Sequence, residues 1–158
     1  FDQRVMENRR DILVYTSELF TEGTEISGPI VPTLYVSSDA PDTDFIVRVS
    51  DVYPDGRSIL IVDYPLRARY REGFDKEVLM TPGPVYRVAF PIGWMSQIFN
   101  TGHRIRVTVA STGAPLYEPN PQTGKPLTIE FPDDARAAVN TIYHNSVHAS
   151  RIIAPVAD

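Results

Sequence analysis

Along most of this chain apolar residues either alternate with polar ones or gather in short blocks, and 14 prolines and 9 glycines punctuate the segments. That pattern predicts short strands and little helix. Candidate strands run over Asp11–Thr16, Ile30–Val36, Asp44–Val52, Ser58–Val62, Leu66–Arg71, Val85–Phe90, Arg104–Ala110, Val139–Tyr143 and Arg151–Pro155. Ile105, Val107 and Val109 alternate with Arg104, Arg106 and Thr108, which places the first set on a core face and the second toward solvent. Tyr86, Val88 and Phe90 repeat the pattern. Between Phe45 and Val49 the odd positions are apolar while Arg48 and Ser50 face away. Pro54-Asp55-Gly56 then turns the chain into Ile59-Leu60-Ile61-Val62, so the two segments read as a β-hairpin. Nine short strands separated by turn signals predict an all-β sandwich or barrel.

Two stretches break the alternation. From Gly113 to Asp134 the chain holds Pro115, Pro119, Pro121, Pro126 and Pro132, which predicts a long ordered loop, and long loops in compact domains are often functional. Asp133 and Asp134 precede Ala135-Arg136-Ala137-Ala138 and favour a short helix starting there.

The bulk numbers narrow the classes. At 158 residues the chain fits one domain, and 42% hydrophobic with 22% charged residues excludes a wholly disordered chain. A net charge of −5 supplies no basic field for counterion-driven binding, so no nucleic acid is expected as a partner. The absence of cysteine removes disulfides, thiolate metal sites and a cysteine nucleophile together. No apolar run approaches the roughly 18 residues of a spanning helix, and Phe1 onward carries no signal-peptide pattern, so no membrane partner is expected. A start at Phe instead of Met is what a processed piece or a domain of a longer chain would show.

Candidate chemistry is sparse. Serine hydrolysis on an α/β-hydrolase fold needs a G-x-S-x-G turn, and the chain has none. A convergent triad could draw on Ser111, His103 and Asp51, although nothing in the spacing specifies those three. His144 and His148 stand four apart and could share a helical face as zinc ligands; the other reading is a turn between two strands whose polar groups satisfy the backbone. Asp39, Asp42 and Asp44 could offer hard oxygens to calcium or cap backbone in Asx-turns. Arg67, Arg69 and Arg71 alternate along a predicted strand and would project from one face, either as an anion ladder or opposed by carboxylates of a neighbouring strand or domain. Trp94, the sole tryptophan, suits core or interface packing, or a stacking platform for sugar.

Several stretches in order resemble one known family. They are Arg10-Asp11-Ile12-Leu13-Val14-Tyr15-Thr16-Ser17, Gly28-Pro29, Leu34-Tyr35-Val36-Ser37-Ser38, and Asp42-Thr43-Asp44-Phe45 with Asp51-Val52-Tyr53-Pro54-Asp55-Gly56. Arg67-Ala68-Arg69-Tyr70-Arg71-Glu72, Phe99-Asn100-Thr101-Gly102-His103-Arg104-Ile105-Arg106-Val107 and Pro119-Asn120-Pro121-Gln122-Thr123-Gly124 follow at similar spacing. Together they resemble the C-terminal domain shared by cocaine esterase, X-Pro dipeptidyl-peptidase, α-amino acid ester hydrolase and the glutaryl-cephalosporanate acylases. Asp63-Tyr64-Pro65-Leu66 stands where an Asp-Gly turn is usual, and Gly113-Ala114-Pro115 replaces an aromatic-proline step.

The resemblance implies a galactose-binding-like jelly-roll β-sandwich over residues 1–158, a single C-terminal domain of a larger serine hydrolase. Its partners would be the α/β-hydrolase and cap domains of the parent chain, whose substrate pocket it helps to wall, and the family's jelly rolls can join homo-oligomer contacts. No family catalytic, cofactor or metal residue maps onto this chain, so none is assigned. Such an accessory domain should expose an apolar face. A stand-alone carbohydrate-binding module, the alternative, needs Trp94, Tyr117 or Tyr143 facing solvent beside hydrogen-bonding groups. A self-sufficient enzyme would need His103, His144 or His148 to converge with carboxylates in one cleft. The 113–134 loop is the expected segment nearest the parent's active site or cap.

Overall fold

The computed structural model describes residues 2–126 and 132–157. A short helix α1 (Arg4–Glu7) precedes β1 (Ile12–Thr16), β2 (Thr24–Ser38), β3 (Asp44–Val52), β4 (Ser58–Arg67), β5 (Tyr86–Ala89), β6 (Gly93–Phe99), β7 (Arg104–Ala110), β8 (Asn140–Tyr143) and β9 (Arg151–Ile153). Among the described residues these strands form two antiparallel sheets, an all-β jelly-roll sandwich. The first runs β1-β7-β3-β4.

The second sheet is organised on β2 alone. Thr33 pairs with Ala89 of β5 on one edge and Arg151 of β9 on the other, while Tyr35 pairs with Arg87 and with Tyr143 of β8. β6 prolongs the β5 edge along residues 24–30, and Pro155 and Ala157 prolong the β9 edge through backbone bonds with Ser27 and Glu25. Side chains of β2, β3 and β6 meet between the sheets: Ile26, Ile30, Leu34 and Val36 pack with Phe45, Val47 and Val49, and with Met95 and Phe99. Phe20 stacks on Phe99 with ring centroids 5.2 Å apart, closing one end of this core.

The predicted hairpin is present, with β3 pairing β4 across Pro54-Asp55-Gly56 and a register shift at Val49/Ser50. Gly56 has φ +86°, the left-handed backbone for which the turn needs glycine. Four expectations are corrected. Arg48, Ser50 and Thr108 do face away from the core, yet they are buried, because the outer face of the first sheet is covered. Gly113 sits so close over β3 that a Cβ there would meet Ile46 and Arg48, and Glu7 of α1 bonds Ser58 of β4 and Arg106 of β7.

The second correction is that Ser58–Val62 and Leu66–Arg71 are not separate strands. β4 runs through Pro65 to Arg67 and ends in a 3-10 turn over Ala68–Tyr70. Proline is tolerated there because β4 lies at the edge of its sheet, where a missing N–H breaks no second ladder. Third, β6 and the first half of β2 were not anticipated, since Trp94 and Ile98 put apolar side chains on the outward face and hide the alternation. Fourth, the helix expected near Asp133 is a 3-10 turn over Pro132–Asp134. The proline-rich loop carries no strand from Gly113 to Pro126, and residues 127–131 of it lie outside the described residues.

Phe99→Ala, which empties a fully buried site, is expected to cost about 3–5 kcal/mol in urea unfolding, against less than about 0.5 kcal/mol for Leu116→Ala at an exposed position.

Candidate functional site

The arginine run and the aspartate cluster turn out to be each other's partners. Arg69 is fully buried against a fully buried Asp42: its backbone N–H donates to Asp42 Oδ1 at 2.9 Å and its Nε to Oδ2 at 2.7 Å. Arg67 donates Nε and Nη2 to the two oxygens of Asp44 at 3.0 and 3.1 Å. Asn120 Nδ2, from the proline-rich loop, bridges Asp42 Oδ2 and Asp44 Oδ1 at 2.9 Å each. Arg69 also donates to Lys125 O and Glu77, and Arg67 to Glu118 O. Burial works against the Arg67 charge, but the Asp44 carboxylate with Asp42 and Glu118 beyond it outweighs burial and raises the pKa.

These contacts replace the expected one-face ladder. The strand ends in the 3-10 turn at Ala68–Tyr70, and Arg71 donates to the carbonyls of Ala68, Val78 and Leu79 while lying 4.8 Å from the Tyr86 ring centroid. Asp42 and Asp44 are thereby occupied by guanidinium and amide donors. Asp39 does cap backbone, accepting the Val139 N–H at 2.9 Å.

Of the candidate triad, two members meet. His103 Nδ1 lies 2.8 Å from Asp51 Oδ1, buried beneath the Tyr53 ring at 4.4 Å between centroids. Ser111 follows the far end of β7, about 26 Å from His103 at strand rise, where its Oγ accepts from Asn140. The pair ties the β3–β4 hairpin to the approach of β7. His144 and His148 are not on a helix but on a surface excursion between β8 and β9, closed by a His144–Ala149 bridge. Asn145 Oδ1 accepts the N–H groups of Val147 and His148, the turn-satisfying arrangement. Among the described residues no three His, Asp or Glu side chains gather as metal ligands.

Trp94 is 78% exposed on the outer face of the second sheet, which excludes core packing. Ile98, 55% exposed, stands on the same face of β6; Pro29 is its cross-strand neighbour's residue opposite Trp94, and Ile153 opposite Val31 extends the strip to β9. The hydroxyls within it, Ser27 and Ser96, bond each other at 2.9 Å. Tyr117 and Tyr143 are half-buried. Burial, with Asp63 alongside, pushes the Tyr117 phenol up.

One feature had no signal in the sequence. Between the sheets, on the side where β1 faces β8 and β9, a groove of about 150 Å³, open to solvent, is lined by Leu34, Val107, Val109 and Ile142 with Ser150 and Arg151 among its polar residues. At its mouth Tyr15 and His144 meet edge to face, 5.9 Å between centroids. The groove arises from the relative placement of two sheet edges, which residue patterns do not encode.

The profile of a family described as the X-Pro dipeptidyl-peptidase C-terminal non-catalytic domain matches residues 3–153. The chain is similar to cocaine esterase of Rhodococcus sp. (strain MB1 Bresler), 39% identical over 155 residues that cover 98% of this chain and 27% of that protein. Among solved structures it is similar to an aminopeptidase from the marine sediment archaeon Thaumarchaeota archaeon, with TM-score 0.95 and 30% identity over 99% of this chain and 27% of the other. An α-amino acid ester hydrolase superposes with TM-score 0.94 at 31% identity, again over 99% and 27%. The chain thus spans about a quarter of the length of the relatives it matches.

Asp42→Ala, which strands a buried guanidinium, is expected to lower stability by about 3–5 kcal/mol in urea titration. Replacing both partners, Asp42→Leu with Arg69→Met, should recover only part of that loss, because the Arg69 backbone N–H still loses its acceptor.

Proposed function

The chain belongs to the family of X-Pro dipeptidyl-peptidase C-terminal non-catalytic domains, and from that membership we propose that residues 1–158 form the accessory jelly roll of a longer serine hydrolase. In this reading the domain docks on α/β-hydrolase and cap domains and helps wall the substrate pocket. The parent would transfer an acyl group from an ester, amide or Xaa-Pro peptide to water through an acyl-serine intermediate.

The observation that carries the docking is the apolar strip on the second sheet. Trp94, Ile98 and Ile153 lie exposed on adjacent strands with Pro29 and Val31 between them. A large aromatic left in water amid aliphatic neighbours is what an uncovered interdomain face presents. The proline-rich loop offers less support as the segment nearest the parent's active site, because Asn120, Gln122 and Lys125 bond inward to Asp42, Asp44, Thr43 and Arg69. A stand-alone carbohydrate-binding module is not favoured. Its platform would need free hydrogen-bonding groups beside Trp94, and the Ser27 hydroxyl there is already engaged by the Glu25 carboxylate and by Ser96.

Ester and Xaa-Pro amide hydrolysis, with a serine-reactive probe, is to be measured on this chain and on the longer protein. Turnover and labelling confined to the longer protein are expected; turnover by the 158 residues alone would overturn the accessory reading. Oxidative footprinting of Trp94 by mass spectrometry should show modification in the chain alone and protection in the longer protein. Equal modification in both would rule out docking through this face.

A further inference from the structure

We propose that the surface covering the outer face of the second sheet carries two carboxylates, one for Arg87 and one for Arg151, so that charge sets the register in which the apolar strip is docked. The inference rests on the docking reading above and specifies the chemistry of the covering surface. Arg87 of β5 stands opposite Tyr35 of β2, and Arg151 of β9 opposite Thr33. Their neighbours Val88 and Ile152 pack on the core, so alternation puts both arginines, exposed, on the face that carries Trp94, Ile98 and Ile153. One lies on each side of β2, and strand spacing and rise separate their Cα atoms by about 12 Å.

Neither guanidinium has a carboxylate among the described residues. Arg67, Arg69 and Arg106 are each matched to Asp or Glu. The Arg87 guanidinium, by contrast, has no partner among the described residues, and that of Arg151 makes one long contact, Nη1 to Ala149 O at 3.5 Å. Glu25 stands toward the other end of β2, about 27 Å from Thr33 at strand rise, and accepts from Ser27 Oγ at 2.6 Å.

In water the two arginines are solvated and need no counterion. Beneath a docked domain they lose that hydration, and a guanidinium covered without an anion is strongly unfavourable. A carboxylate restores the balance best, because its two oxygens match the planar fork of N–H donors. The net charge of −5 repels an acidic surface in general, so such a surface is drawn in only where its carboxylates fall on these two points. An apolar strip by itself tolerates sliding; paired charges at its end do not. The chain covers 27% of the length of its relatives, which leaves ample polypeptide in a longer chain to supply that surface.

The test compares the longer protein with the 158-residue chain. Phenylglyoxal labelling of arginines, mapped by mass spectrometry, is expected to modify Arg87 and Arg151 in the chain alone and to find both protected in the longer protein. Arg87→Lys and Arg151→Lys variants of the longer protein, treated with a carbodiimide that condenses an amine with a touching carboxylate, are expected to give zero-length cross-links from those positions to Asp or Glu outside the 158 residues. Arg87→Glu in the longer protein is expected to abolish the protection of Trp94 from oxidation. Should the variants fail to fold, arginine labelling of the unaltered longer protein decides alone. Equal oxidation of Trp94 in the chain and in the unaltered longer protein would remove the docking itself and this inference with it. Trp94 protected while either arginine stays reactive, or while folded lysine variants give no such cross-link, would overturn the carboxylate pairing and leave the docking standing.

Discussion

A guanidinium and a carboxylate shut away from water, Arg69 on Asp42, set the terms for one whole end of this sandwich. Each ion loses its hydration on burial, and hydrogen bonds of good geometry offset most of that loss, Arg69 Nη2 alone of the pair's polar atoms being buried without a partner. Asp42 therefore accepts from the Arg69 backbone, the Arg69 side chain and Asn120, and Asn120 in turn reaches Asp44, which holds Arg67. The result joins the segment entering β3, the end of β4 and the proline-rich loop. Two backbone bonds run alongside, Ala68 N–H to Thr43 O and Met80 N–H to Pro41 O. The loop that looked free to serve another domain is held to its own core by these contacts.

A second constraint is that β3 is buried on both faces. Inside, Phe45, Val47 and Val49 meet β2; outside, Arg48 and Ser50 lie under cover, Arg48 facing Asp63 of β4 across 3.7 Å. Polar residues on the outer face of a sheet are normally solvated, and here they are roofed by chain from two directions. The N-terminal helix closes one side through Glu7, and the Gly113 turn closes the other by an approach that leaves no room for a side chain.

Much of this architecture was legible in the residues. The period-2 pattern located β1, β3, β5 and β7 to within a residue or so, and the Pro54-Asp55-Gly56 turn located the hairpin. What failed did so for identifiable reasons. Pro65 reads as a break but sits on an edge, and β6 carries apolar residues outward as well as inward. At the level of sites, the Arg and Asp clusters were visible as clusters and invisible as partners, because only the register between Asp44 and Arg67 brings them together. His103 and Asp51 meet through the same kind of long-range pairing, while Ser111 is carried to the opposite end of β7. Sequence spacing speaks to neighbours on one element, and these contacts span elements.

The dependence of the second sheet on a single strand bears on how the polypeptide is made. β2 is complete at Ser38, yet its first partner begins at Tyr86 and its last ends at Ile153. During vectorial synthesis the first sheet's hairpin can close early, whereas β2 finds partners on one edge only once β5 and β6 have emerged, and its other edge stays open until β8 and β9 follow. A nascent chain stalled before β8 would present that open edge of β2 to other molecules, and its escape from aggregation would rest on the speed of translation and on whatever shields it meanwhile.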